Sequence, residues 1–506
     1  MGALTIRLTG GGGMINSKQH NGGWPFGQGT VRILALVAGL TTFVGVGSEQ
    51  ALAESLRDAM AAAYKYNPRL DAERARQRAT DEEVSRAHSG YRPTVTGSAD
   101  IGYERQDTKP PGIGGGGGET HPKGYALRGV QPIFSGFRTL NGVRVAESTV
   151  RAGRETLRTV EQSVLLETVT AYLDVVRDQA ILKLRESNVE VLSRELKASR
   201  DRFSVGEVTR TDVAQAEARR AAAVSALDLA RANLKTSRAA FERSVGYPPS
   251  VLTDQKVPNK LLPKSQAEAV ELSQRESPSV VAALYTEQGA RHNVDLIWGE
   301  FLPTVELEAT YSQRFDQSRT IDEVETSTVT GRVNVPLYAA GDTHAKVRQA
   351  KHTHVSRLQQ IEQARTEAKA TAVSAWSVLT AARAQLESDQ VQVSATSTAL
   401  TGVREEERVG QRTLLDVLNA EQEALNAQVS LATTRRNLVV ASYTLLSAVG
   451  RLSISEVGAT DLAYDAEAHY HEIRRKWWGI SITRADSHRE QHNLWETHGV
   501  KHEPAK

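Results

Sequence analysis

The chain has 506 residues, of which 40% are apolar and 24% are charged, a composition that suits folded domains and excludes a largely disordered chain. A formal net charge of +2 and an aromatic content of 5% argue against a nucleic-acid partner, because such proteins carry basic surfaces and stacking aromatic residues. The sequence contains no cysteine, which excludes disulfides, thiolate metal sites and cysteine nucleophiles.

The N-terminus has the pattern of a signal peptide that follows an N-terminal extension. A basic residue precedes an apolar run over residues 33–46, and a small-residue cleavage pattern follows at residues 51–53. As a helix the run would extend about 21 Å, which is short of the ~30 Å hydrocarbon core and favours a cleaved signal peptide over a membrane anchor. The mature chain is then expected to begin at Glu54, and both Met1 and Met14 remain candidate starts.

Four segments of alternating residues predict two β-hairpins. The clearest covers residues 303–315, PTVELEATYSQRF, where apolar and polar residues alternate with a period of two. Residues 328–337 repeat this pattern, and residues 94–103 and 125–134 form a less regular pair. Connecting loops are expected at residues 110–119, which are rich in glycine, and at residues 316–327.

An outer-membrane barrel and a soluble sandwich both produce this alternation, and closure separates them. Four strands leave exposed sheet edges, which hydrocarbon does not tolerate, and the smallest barrels need about eight strands. If these strands lie in a membrane, several chains must therefore share one barrel.

Proline placement predicts two very long helical blocks. No proline occurs between Pro132 and Pro248, or between Pro336 and Pro504, and proline is the residue that helix interiors tolerate least. The stretch over residues 141–203 is rich in helix-forming residues and would span about 95 Å. Apolar residues spaced three and four apart in the second part of each block indicate a coiled-coil seam. An ordinary coiled-coil scaffold remains an alternative on this feature alone.

The two blocks are copies of one plan, because residues 202–246 align without a gap with residues 406–450. Each copy contains a turn with the pattern VGxxTxxDV, at residues 205–213 and 409–417. In each turn the glycine can end one helix, and the threonine can cap the next with the aspartate as its capping-box partner. The residues concerned are Gly206, Thr209 and Asp212 in the first turn and Gly410, Thr413 and Asp416 in the second.

The signal peptide, strand hairpins, long helical hairpins, duplication and paired turns resemble the TolC family of outer-membrane efflux and type I secretion channels, over roughly residues 54–450. The resemblance implies a homotrimer that is mostly α with β. Each protomer would give four strands to a twelve-strand transmembrane β-barrel, and its coiled-coil helical hairpins to a tunnel, or α-barrel, through the periplasm. It implies as partners a periplasmic adaptor protein, an inner-membrane RND or ABC transporter and outer-membrane lipid, with no cofactor, metal or catalytic site.

The resemblance also implies roles for the turns. It makes them the docking surface for the adaptor, through Val205, Gly206 and Thr209 in one turn and Val409, Gly410 and Thr413 in the other. It places Asp416 in a ring of carboxylates that narrows the closed entrance, as an alternative to a purely capping role, whereas capping is favoured for Asp212. The family's second ring aspartate is replaced by Asn419, which predicts a less anionic ring.

Links between neighbouring turns hold the closed state in such channels. Arg412 matches the arginine that pairs with Thr211 and Asp212, which predicts a latch at this position. Glu407 replaces a tyrosine that makes a companion link, so it either restores negative potential near the ring or faces solvent.

Several histidines and tryptophans are further candidate site residues. His344, His352 and His354 are an improbable metal site, because their spacing points them to different sides of a helix. The C-terminal histidines at positions 469, 471, 488, 492, 498 and 502 are more simply interpreted as a solvated extension. The segment RRKWWGI at residues 474–480 is expected to pack at the waist of the tunnel through Trp477 and Trp478, with an interfacial membrane role as the less favoured alternative.

The resemblance thus implies a passive outer-membrane exit duct, opened by an adaptor and driven by an inner-membrane transporter. A secreted or periplasmic coiled-coil structural protein is the alternative, and an enzyme is a distant third. The predicted organisation is a signal peptide with N-terminal extension at 1–53, an equatorial helix at 54–90, a β-hairpin at 91–135, a helical hairpin at 136–247, an equatorial linker at 248–278, a helix at 279–300, a second β-hairpin at 301–338, a second helical hairpin at 339–450 and a polar periplasmic tail at 451–506.

Overall fold

A computed structural model describes residues 54–106, 118–318 and 321–480. The predicted signal peptide, most of the glycine-rich loop and the histidines beyond position 480 lie outside these residues. The helices are α1 Leu56–Tyr66, α2 Pro68–His88, α3 Arg138–Ser204, α4 Arg210–Val245, α5 Gln266–Glu276, α6 Pro278–Trp298, α7 Asp342–Arg408, α8 Leu414–Ala448 and α9 Ala468–Ile473, and the strands are β1 Thr94–Ile101, β2 Glu104–Gln106, β3 Gly118–Thr120, β4 Lys123–Ser135, β5 Thr304–Ser318 and β6 Ile321–Asn334.

Two long rods dominate the molecule, as the absence of proline predicts. Helices α3 and α7 have 67 residues each, and at 1.5 Å per residue each is about 100 Å long. Each folds back into a second helix, α4 or α8, to form a hairpin. The buried residues of α4 and α8 follow the spacing of three and four that marks a coiled-coil seam, for example Ala223, Leu227, Ala230 and Leu234 in α4.

The duplication extends to the shorter helices, and here two expectations need correction. The span 54–90 is two helices, because Asn67 ends α1 and its side chain accepts a hydrogen bond from the Arg69 amide at 3.0 Å, so that Pro68 opens α2. The span 248–278 is more than a linker, since it contains α5. Helices α5 and α6 have 11 and 21 residues, the same lengths as α1 and α2, and form the second copy of that pair.

The four longer strands form one antiparallel sheet in the order β1-β4-β5-β6. Its register places Val95, Gly129, Ala309 and Val329 in one row across the sheet, so that apolar residues share a face. On the opposite face Glu308 accepts from Arg128 at 2.6 Å and from Arg332 at 3.2 Å. The alternation in the sequence therefore predicted the two faces correctly.

The prediction of a loop over residues 316–327 was also wrong. Strand β5 continues to Ser318 and β6 begins at Ile321, so most of this stretch is paired sheet. Strands accept polar residues where both faces are exposed, and the threonines at positions 326 and 328 favour extended backbone. Polarity alone therefore gave a misleading loop signal.

The buried core lies at the middle of the rods, where α1 and α5 pack across them. Tyr172 of α3 and Phe241 of α4 are fully buried there, and the Tyr172 hydroxyl accepts a hydrogen bond from the Thr253 amide at 2.9 Å. A second cluster joins α5 to α7 and α8 through Leu379 and Leu445. Toward the turns the rods pack through the coiled-coil seams of α3 with α4 and of α7 with α8, whereas toward the sheet α6 packs between α3 and α7.

The segment after α8, residues 451–480, is here named the C-terminal strap, and it does not stay at the waist as predicted. It begins near the middle of α3, where the Ile454 amide donates to Glu161 at 3.0 Å. Further along, Arg154 contacts Glu467 at 2.6 Å, and the Tyr470 hydroxyl contacts Glu147 at 3.4 Å. Because these partners on α3 run backwards in sequence, the strap climbs toward the sheet. His469, expected to be solvated, is buried against Asp81 of α2 at 3.2 Å.

The glycine that follows α8 provides a test of this packing. Gly450 has φ +82°, and a Cβ at this position would lie 2.5 Å from the Glu276 carbonyl oxygen. Gly410 has φ +80° with nothing within 4 Å of such a Cβ. Substitution by alanine should cost about 1 kcal/mol of backbone strain at either position, and about 1–3 kcal/mol more at Gly450 through overpacking.

The measurement is thermal unfolding followed by the helical circular-dichroism signal, with Gly410→Ala as the control for backbone strain. Gly450→Ala should lower the unfolding temperature clearly more than the control. Equal losses of stability in the two variants would contradict the close approach of α8 to the α5–α6 junction.

Candidate functional site at the helical turns

The two turns between the long helices have the same backbone. Gly206 and Gly410 both adopt φ +80°, a left-handed conformation that glycine adopts without strain. The amide of the next residue reaches back over the helix end, from Glu207 to the Arg202 carbonyl at 3.0 Å and from Gln411 to the Glu406 carbonyl at 2.8 Å. This is the glycine-terminated helix end that the pattern VGxxTxxDV predicts.

The residues that follow form a capping box in each copy. Asp212 accepts hydrogen bonds from the Thr209 amide at 2.9 Å and from its hydroxyl at 2.8 Å, and Asp416 accepts the same pair from Thr413 at 3.0 and 2.8 Å. Both aspartates therefore act as caps. The hydrogen bonds from the Thr413 hydroxyl and amide, together with the nearby Arg412 guanidinium, lower the pKa of Asp416 below its usual value.

A valine precedes each turn glycine and points away from the packed helices. Val205 and Val409 are both 71% exposed. The two copies thus present the same small apolar residue at the same place in each turn. Such a repeated, exposed apolar residue is suited to contact with another protein.

Near the turns, polar contacts join the first hairpin to the second, and the sequence did not reveal them. Arg202 at the end of α3 forms an ion pair with Glu407 of α7 at 2.8 Å. Arg219 of α4 donates to the Asn419 side-chain oxygen of α8 at 2.7 Å. For Arg202 and Glu407 the sequence shows opposite charges at nearly equivalent positions of the two copies. Whether such residues pair depends on how the two hairpins are rotated against each other, which the sequence does not show.

The residues proposed for the latch are not brought together within one chain. Arg412 forms an ion pair with Glu406 of its own turn at 2.9 Å, and within the described part of the chain it contacts neither Thr211 nor Asp212. Glu407 forms an ion pair with Arg202 and is mostly buried, so its side chain does not simply face solvent.

Just behind the turns, carboxylates gather where α3 meets α8. Arg404 forms an ion pair with Glu421 at 2.7 Å, and the Glu421 side chain is only 5% exposed. Its second oxygen, Oε2, is buried without a hydrogen-bond partner. Burial, and then the negative charge of Glu421, raise the pKa of Glu195 on α3 above its usual value. The equivalent ion pair of the first copy, Arg200 with Glu217 at 3.5 Å, is exposed.

The other candidates are dispersed over the fold. His344 packs edge-on against Phe301, and His354 contacts Glu287 at 2.6 Å, so these histidines occupy separate environments. Within residues 54–106, 118–318 and 321–480, no group of three or more histidines and carboxylates is placed to hold a metal ion. Over the same residues, none of the helices has both the length and the apolar content needed to span a bilayer.

Comparison with known proteins shows which family has this architecture. The model of the family described as outer membrane efflux protein matches residues 60–247 and 269–451. The outer membrane efflux protein BepC of Brucella suis biovar 1 is 38% identical over 439 residues, which cover 85% of this chain and 93% of that protein. The outer membrane protein TolC of Escherichia coli is 25% identical over 448 residues, covering 85% of this chain and 89% of TolC.

A solved structure agrees with the fold. The CmeC outer membrane channel of Campylobacter jejuni superposes with a TM-score of 0.71 at 18% identity, covering 83% of this chain and 89% of the CmeC chain. The family match favours a channel over the coiled-coil structural protein that the sequence left as the alternative. The chain belongs to the TolC family of outer membrane efflux proteins.

Proposed function

We propose that this protein is a trimeric exit duct of the outer membrane, opened by a periplasmic adaptor and driven by an inner-membrane RND or ABC transporter. The observation that carries the proposal is a four-stranded sheet with two open edges at one end of two helical hairpins about 100 Å long. The sheet suits a shared barrel in lipid, and the hairpins suit a tunnel across the periplasm.

The sheet has the properties that a shared barrel requires. Strands β1 and β6 are its edges, and Val95, Val329 and Val333 on the apolar face are exposed. Lipid would cover this face, while the row of paired arginines and glutamates on the other face would line a water-filled lumen. Joining β1 of one chain to β6 of the next would satisfy both edges, and three chains would give the twelve-strand barrel.

The helical hairpins offer matching edges. Helix α8 lies beside α3, so that α4 and α7 are the outer helices of the four. Both carry exposed apolar residues, Leu229 on α4 and Val391 on α7. In a closed ring α4 of one chain would meet α7 of the next, and these residues would become buried.

The turns would form the narrow periplasmic end of the duct. The exposed Val205 and Val409, with the glycine and threonine of each turn, would dock the adaptor, as proposed for residues 205–209 and 409–413. Asp416 would supply one carboxylate per chain to the ring at the entrance, and Arg412 would reach Thr211 or Asp212 of a neighbouring chain. Arg202 with Glu407 and Arg219 with Asn419 would hold the two hairpins of each chain together in the closed state.

The assembly itself gives the first test. The protein should fractionate with the outer membrane, require detergent for extraction, and have the mass of three 55.1 kDa chains less their signal peptides. Unheated samples should migrate on gels as an oligomer. A water-soluble monomer would contradict the proposal. If the protein is an oligomer of the outer membrane, the drug susceptibility and the secretome of a deletion strain would distinguish drug cargo from polypeptide cargo.

The contact between hairpins gives a second test. Arg202→Ala should raise single-channel conductance in planar bilayers severalfold, because it removes an ion pair that ties α3 to α7. Glu407→Ala should act in the same direction, and the double variant should add little to either single change, since both remove one interaction. Arg200→Ala is the matched control, because its partner Glu217 belongs to the same hairpin. A conductance increase of equal size in the control would refute the link.

The carboxylate at the entrance gives a third test. Asp416→Asn should weaken the block of conductance by multivalent cations, because each chain loses one charge from a narrow constriction. Asparagine keeps an acceptor oxygen for the cap, and Asp58→Asn in the capping box of α1 is the control with the same capping geometry away from the turns. Asn419→Asp should strengthen the block. Since the folded pKa of Asp416 is lowered, its charge and the block should persist as the pH falls to about 4. An unchanged block in the Asp416 variant, or an equal loss in the Asp58 variant, would contradict the assignment.

A further inference from the structure

The end of the C-terminal strap, residues 474–480 with the sequence RRKWWGI, is fixed beside the sheet. Arg92, two residues before β1, donates from Nη1 to the Lys476 carbonyl at 2.9 Å. The same guanidinium lies over the Trp477 ring, 4.8 Å from its centroid. Arg474 lies 3.7 Å from Glu147 near the upper end of α3. The segment is therefore held at the level where the helices give way to strands.

The apolar residues of this segment are turned outward. Trp477, Trp478 and Ile480 are 57%, 85% and 105% exposed. Two indole rings and an isoleucine side by side form an apolar surface that is unfavourable in water and that soluble surfaces rarely present. Because the segment is held in place, its apolar side chains form an ordered surface to which a partner can bind.

Other exposed aromatic residues mark the same level. They flank the helical ends of the strands, and they are Tyr91, Phe137, Trp298 and Tyr338. Outer-membrane barrels carry girdles of aromatic residues at the membrane interfaces, because amphipathic rings are most stable among the headgroups. In the proposed orientation this girdle lies at the periplasmic interface, and Trp477 and Trp478 extend it sideways.

The charges next to the tryptophans indicate what kind of surface is recognised. Arg474, Arg475 and Lys476 precede them directly. A groove of about 540 Å³ separates this segment from α2. Its wall contains the acidic residues Glu82 and Glu83, and Glu83 lies 3.8 Å from Arg86. Basic residues followed by tryptophan and isoleucine combine attraction to phosphate with insertion of apolar side chains.

We propose that residues 474–480 form an interfacial anchor that binds anionic phospholipid headgroups in the leaflet facing the periplasm. The exposed Arg475 side chain contacts the phosphates, and Trp477, Trp478 and Ile480 enter the boundary between headgroups and acyl chains. The inference rests on the proposed placement of the sheet in the membrane. Continuity with the aromatic girdle, together with the basic run, favours lipid over a second copy of the chain as the occupant.

Tryptophan fluorescence in vesicles with brominated phospholipids tests the anchor, because bromine quenches only indoles that touch lipid. The chain has six tryptophans, so full-length variants that keep Trp478 alone are made by changing the others to phenylalanine. Two reference variants each contain a single tryptophan at another position, with Trp478 also changed to phenylalanine. One carries Val329→Trp on the apolar face of the sheet, and the other keeps Trp376 in the middle of α7.

Trp478 should be quenched to an extent comparable with the Val329→Trp reference, and Trp376 should not be quenched. If the reference on the sheet is quenched and Trp478 behaves like Trp376, the anchor is overturned while the membrane placement stands. That result would be expected if another chain or residues 481–506 cover Trp478. If neither Trp478 nor the sheet reference is quenched, both proposals fail.

The role of charge is tested with vesicles of phosphatidylcholine alone or with added phosphatidylglycerol. Quenching of Trp478 should increase with phosphatidylglycerol, and Arg475→Ser should lower the lipid partition constant of the segment roughly fivefold. Arg238→Ser, an exposed substitution on α4, is the matched control for net charge. An unchanged response of the Arg475 variant to phosphatidylglycerol would overturn the preference for anionic headgroups.

Discussion

Unpaired backbone at the two edges of the sheet is the constraint on which the rest of the structure depends. Strands β1 and β6 each present a row of amide and carbonyl groups with no partner strand in the described chain, beside exposed valines. Neither water nor lipid makes that arrangement stable in a single copy. The same incompleteness recurs in the outer helices α4 and α7. A ring of copies would pair the sheet edges and cover the outer helices at the same time. Assembly and membrane insertion therefore depend on each other.

The duplicated turns show how two copies of one backbone acquire different contacts. Glycine conformation, capping box and exposed valine are the same in both, because each helical hairpin needs them to reverse direction. The charges differ, and Arg202 of the first copy meets Glu407 of the second. Opposite charges at neighbouring positions let the first hairpin recognise the second rather than another first hairpin.

The sequence predicted those features that depend on residues close together in the chain, and missed those that depend on distant partners. The rods, the faces of the strands and both turns depend on periodicity, proline and capping residues, which are legible within a few residues. Helix α5, the extended β6 strand and the pairing of Arg202 with Glu407 depend on distant partners. The strap was misplaced for the same reason: its path is set by Glu161, Glu467 and His469, whose partners lie hundreds of residues away.

The strap also completes a position that the duplication leaves open. Helix α6 of the second copy packs between the rods α3 and α7, whereas its first-copy counterpart α2 packs on the rod α3 and on α9 of the strap. The strap packs on α2, and Asp81 and Arg74 there are buried polar residues. Asp81 meets His469, and the Arg74 guanidinium lies 5.2 Å from the centre of the Tyr464 ring. Buried polar groups tolerate few arrangements, because each must find its partner. These contacts therefore fix the register of the strap, and that register places the tryptophans beside the helical ends of the strands.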